Sequence, residues 1–80
     1  MSYTLTVSVG PNKVVAKGFN LTNTLHSMGR KLSVLDMSED ALEALRFRLA
    51  KRLYAVKRET APGWSALSYS DAGYDVRLER

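Results

Sequence analysis

Residues 1–20 read MSYTLTVSVGPNKVVAKGFN and residues 21–35 read LTNTLHSMGRKLSVL, and the hydrophobic period changes between them. In the first segment Tyr3, Leu5, Val7 and Val9 alternate with Ser2, Thr4, Thr6 and Ser8, the two-residue period of a half-buried strand. Gly10-Pro11-Asn12 reads as a turn, with proline presetting the first central dihedral and asparagine tolerating the second. Lys13 to Phe19 then resumes in β-favouring residues, so a hairpin is expected. In the second segment Leu21, Leu25, Met28, Leu32 and Leu35 recur at intervals of four, three, four and three, which places them on one helical stripe. Asn20 or Thr22 can cap the start of this helix. Gly29 costs about 1 kcal/mol relative to alanine inside a helix, so the helix is expected to end near Gly29 or bend there.

Working outward, Ser38 is a good cap for a second helix, with Glu39, Asp40 and Glu43 in its first turns and basic residues later. That polarity suits the helix dipole. At 100° per residue, Leu42, Leu45, Leu49, Leu53 and Val56 share one arc and should face the core. Thr60-Ala61-Pro62-Gly63 ends the helix. Trp64 to Ser70 and Tyr74 to Leu78 read as strands joined through Asp71-Ala72-Gly73, where glycine supplies a positive φ. The expected fold class is therefore α+β: a small single domain spanning 1–80, in ββααββ order, with two helices packed on one face of an antiparallel sheet.

Composition agrees with a folded domain. Of 80 residues, 45% are hydrophobic, 25% are charged and only two are proline, unlike a disordered tail. Cysteine is absent, which excludes disulfides, thiolate metal sites and a cysteine nucleophile. The N-terminal stretch lacks the basic flank and continuous apolar run of a signal peptide, and no stretch approaches the roughly 18 apolar residues of a membrane span. A cytoplasmic protein without membrane association is expected, in which the Asn20-Leu21-Thr22 sequon goes unmodified.

No catalytic constellation assembles. His26 is the sole histidine, with no second imidazole to share a metal. Glu39, Asp40 and Glu43 are accounted for by the helix dipole, and Asp71 and Asp75 by turn chemistry and a solvated strand face. Gly10, Gly18, Gly29, Gly63 and Gly73 lie too far apart to form a phosphate-cradling loop. The expectation is a non-enzymatic protein with no catalytic residue, metal site or cofactor.

One segment does point to a partner. Ala44 to Arg58 holds half of the twelve basic residues and no acid, in a chain of net charge +4. An uncompensated positive helix attracts anions. The partner-binding set is Arg46, Arg48, Lys51, Arg52, Tyr54, Lys57 and Arg58, and Arg48, Lys51, Arg52 and Arg58 are the chosen anion contacts. A solvated helix face would show much the same charge, since the cations surround the helix except at the leucine arc. Phe47 and Tyr54 lie two turns apart on a separate side; Phe47 is expected in the core, and Tyr54 is left open between stacking, a homodimer seam and packing. Trp64 reads as a core anchor.

Two partner classes follow. Nucleic acid would be held by salt-sensitive phosphate contacts, with Tyr54, Tyr69 or Tyr74 stacking on bases. Alternatively the chain is a small inhibitor or adaptor, of the kind encoded by phages and mobile elements, that docks on an acidic protein surface or nucleoprotein assembly. Lys13 to Val56, a strand followed by two helices, superficially resembles a ribbon-helix-helix DNA-binding unit, which implies groove contacts by Lys13, Val15 and Lys17. The preceding strand, Gly29 and the C-terminal hairpin depart from that pattern, and no family is assigned. A homodimer through the Tyr3 to Val9 edge is a further expectation.

Overall fold

The first hairpin forms as its alternation requires. In the computed structural model, which describes residues 2–71 and 73–80, β1 (Tyr3–Val9) pairs antiparallel with β2 (Asn12–Gly18), Val9 opposite Asn12. The loop is therefore Gly10-Pro11 alone, one residue earlier than expected. Gly10 takes the positive φ of 58°, so glycine rather than proline occupies the first central position. A positive angle followed by the fixed negative angle of proline is the sign pattern of a primed turn, whose twist matches the flanking strands.

Asn20 caps α1 (Leu21–Lys31), its Oδ1 accepting the Asn23 N–H at 2.8 Å. The helix continues past Gly29 only to Lys31, so it ends near the glycine as expected, and it tightens into a 3-10 turn over Leu32–Val34. The leucine stripe explains the continuation, because Met28, Leu32 and Leu35 are all buried beyond or beside the glycine and their burial outweighs its intrinsic cost. Thr24, the buried polar residue of this helix, donates its hydroxyl to the Asn20 carbonyl at 2.7 Å.

Ser38 caps α2 (Glu39–Glu59), whose Leu42, Leu45, Leu49 and Leu53 are buried while Val56 is partly so. The second hairpin is β3 (Ala66–Asp71) and β4 (Tyr74–Glu79). Gly73 carries φ 88°, as its turn requires; Ala72 of the expected loop lies outside the described residues. Trp64 precedes β3 instead of starting it. Its N–H bonds the Ala61 carbonyl, and its ring is held between Tyr3, at a centroid distance of 6.1 Å, and the Arg80 guanidinium, at 4.1 Å. It packs against the core edge, half-exposed.

The sheet order is β2-β1-β4-β3, all antiparallel, in ββααββ chain order with both helices on one face. Leu5, Val7, Val14, Ala16, Leu67, Tyr74, Val76 and Leu78 line the covered face. Two expectations change here. β1 lies inside the sheet with partners on both sides, so it has no open edge through which to dimerise. The ribbon-helix-helix likeness also fails, because β2 pairs within its own chain and Lys13, Val15 and Lys17 lie on the uncovered face of the sheet.

Core and surface separate sharply on α2. Leu53, fully buried, should lose about 2–5 kcal/mol of unfolding free energy on replacement by alanine, whereas Phe47→Ala should change it by about 0.5 kcal/mol or less, as read by chemical denaturation.

Candidate functional site

Because the leucine arc of α2 is buried, its cations are confined to three remaining sectors, and each sector meets a different neighbour. On the α1 side Arg46 is half-buried; its Nε donates to the Gly29 carbonyl at 2.9 Å, and Nη1 lies 3.9 Å from Glu43. Lys57 occupies the same side and is partly buried. Arg46 therefore fastens one helix to the other.

On the β3 side Arg48 donates to Asp71 Oδ1 at 2.9 Å, and the other carboxylate oxygen of Asp71 accepts from the Tyr74 hydroxyl at 3.1 Å. Arg52 lies 5.8 Å from the centre of the Tyr69 ring, whose hydroxyl reaches toward the Leu49 carbonyl at 3.5 Å. These contacts tie α2 to the second hairpin. Burial pushes the Tyr69 phenol well above its ordinary range, reinforced by Tyr74 and Asp71 and opposed by Arg52. Burial, followed by the hydrogen bond to Asp71, raises Tyr74 as well. Tyr74 is buried and Tyr69 partly so beneath Arg52, which leaves both less accessible as base platforms than Phe47 or Tyr54.

The third sector points to solvent. Phe47, Lys51, Tyr54 and Arg58 follow one another at intervals of four, three and four, and all are exposed. Phe47 is 67% accessible, against the expectation of a core position. The physical reason is angular: Phe47 sits about 160° from the centre of the leucine arc, so no rotation of the helix buries both. Lys51 Nζ lies 5.9 Å from the Phe47 ring centre, and Tyr54, 40% accessible, shares a 3.0 Å hydrogen bond with Thr22 of α1. The two rings stand about 10 Å apart along the helix.

Beside this stripe runs a shallow groove of about 360 Å³ between the helices, with Leu25, Gly29, Leu49 and Ala50 along it and His26, Arg30 and Arg46 among its lining side chains. His26, given no role from the sequence, is exposed on this rim beside Arg30, which the charge reading of α2 did not reach; the spacing of both from the buried stripe of α1 was the available signal. Of the seven candidate residues, the structure brings Lys51, Tyr54 and Arg58 together in solvent and commits Arg46, Arg48 and Arg52 to contacts within the fold. Glu39 and Asp40 are exposed in the first turn of α2, and among the described residues no helix is long and apolar enough to cross a membrane.

Comparison with protein-family models, with curated proteins and with solved structures finds no match.

The tyrosine cluster gives a pH signature. An unfolded tyrosine loses its proton near its ordinary value of 10.0 while folded Tyr69 keeps it, so the contribution is intact below pH 10 and is lost as pH rises beyond. Denaturation midpoints measured across the alkaline range should fall, and Tyr69→Phe should flatten that fall.

Proposed function

We propose that this chain is a cytoplasmic, non-enzymatic binding module that holds nucleic acid, single strands in particular, on the outward stripe of α2. The observation that carries the reading is the alternation of ring and cation along Phe47, Lys51, Tyr54 and Arg58, with both rings exposed and no acid among them. Exposed rings supply sequence-tolerant stacking platforms and the cations supply phosphate contacts, the pairing that single-strand binding needs. Arg30 and His26 extend the polar rim on α1.

A second reading draws on the groove between the helices. Its apolar floor and basic rim suit a segment from an acidic protein partner, as an inhibitor or adaptor would require. Salt separates the two: phosphate contacts weaken steeply as salt rises, whereas an interface with an apolar centre retains most of its affinity.

Binding to labelled single- and double-stranded oligonucleotides, measured by anisotropy over a salt series, tests the first reading. Phe47→Ala should weaken single-strand binding by about 1–3 kcal/mol, and Lys51→Ala and Arg58→Ala should each reduce the salt slope by about 1. Arg48→Ala should lower stability before it touches affinity, because its partner Asp71 is part of the hairpin contact. Absence of binding even at low salt sinks the nucleic-acid reading.

A further inference from the structure

The two edges of the sheet are built differently. The Arg80 N–H bonds the Ser65 carbonyl at 3.0 Å, in register with the pairing of Ala66 with Glu79. Bonded pairs alternate along an antiparallel ladder, so the backbone groups of Leu67, Tyr69 and Asp71 turn toward β4 while those of Ala66, Ser68 and Ser70 turn outward. The same reasoning from the two-residue loop turns Lys13, Val15 and Lys17 of β2 outward at the opposite edge.

The β2 edge is guarded. Lys31, reaching across from α1, donates its ammonium to the Val15 carbonyl at 2.9 Å, and Lys13 and Lys17 flank that position. Lysine on an edge strand is a usual device against strand addition. Among the described residues, no lysine bonds the backbone of the β3 edge in this way. Its outward residues are alanine and two serines, β3 holds neither proline nor a basic residue, and it is the terminal strand of the sheet.

We propose that β3 pairs antiparallel with β3 of a second copy of this chain, about a two-fold axis at Ser68. Self-complementarity selects this occupant. Around that axis Ser68 faces its own mate and Ala66 faces Ser70, so no like charges meet within these pairs on the uncovered face, and three outward pairs form, each exchanging two backbone hydrogen bonds. On the helix side the register sets Leu67 opposite Tyr69 of the partner subunit, a β-favouring aliphatic and aromatic pair. Asp71, engaged with Arg48 and Tyr74, falls opposite Ser65 at the end of the overlap. The result is one continuous eight-stranded sheet with all four helices on the same side. This dimer does not depend on the nucleic-acid reading.

Light scattering of the full chain over about 1–500 µM provides the test. The mass of the wild type should rise toward two chains with concentration. Ser68→Lys sets two ammonium groups face to face and should weaken self-association at least tenfold while leaving circular dichroism unchanged. The absence of cysteine permits a second measurement: Ser68→Cys, with Cα atoms about 5.5 Å apart across the axis, should oxidise to a covalent dimer, whereas Val15→Cys on the guarded edge should not. A wild type that remains a single chain throughout, a dimer that survives Ser68→Lys, or equal cross-linking at Val15 overturns the proposal.

Discussion

Burial of Leu42, Leu45, Leu49 and Leu53 against the sheet is the constraint from which the rest of the arrangement follows. Once that seam is fixed, the rotation of α2 is fixed, and with it the surroundings of every other side chain on the helix. The six cations between Ala44 and Arg58 consequently differ in kind although they are neighbours in sequence. Arg46 satisfies a carbonyl of α1, Arg48 a carboxylate at the end of β3, and Arg52 covers an aromatic ring. Lys51 and Arg58 are left on the solvent pole, where the domain itself makes least use of their charge.

This sorting explains why an uneven charge distribution is an incomplete guide to a binding surface. Arginine serves fold and ligand with the same chemistry, since a planar guanidinium that can grip a phosphate can equally grip a carbonyl or a carboxylate. In a domain this small the hydrophobic core has little stability to spare, and polar links from the central helix to both flanking layers contribute where burial alone is limited. The Arg48, Asp71 and Tyr74 group is such a link, joining the middle of α2 to the turn of the last hairpin.

The fold was legible because its strands and helices differ in period: the alternation from Tyr3 to Val9 and the four-three spacing from Leu21 to Leu35 admit few other readings. Details set by competition between elements were less legible. Gly29 signals the nearby helix end by propensity, but not that buried Met28 and Leu32 on either side hold the turns together as far as Lys31 and into a 3-10 turn. Phe47 signals core by type, yet the leucine arc had already claimed the buried face. Trp64 shows the same limit, since the partners that hold it, Tyr3 and Arg80, come from opposite ends of the chain. For the site, ring and cation spacing were visible in sequence, whereas the contacts of Arg46, Arg48 and Arg52 with other elements required tertiary placement.

The central position of β1 and β4 has a consequence for how the chain reaches this state. Thr4 pairs with Glu79, so the middle seam of the sheet joins the first strand to the last. Each hairpin can form locally, but the halves can be zipped together only after β4 has left the ribosome. Until then the first hairpin and the amphipathic helices must wait with their apolar faces uncovered. Folding thus waits for β4, and a chain truncated within β4 would lack the seam that unites its two halves.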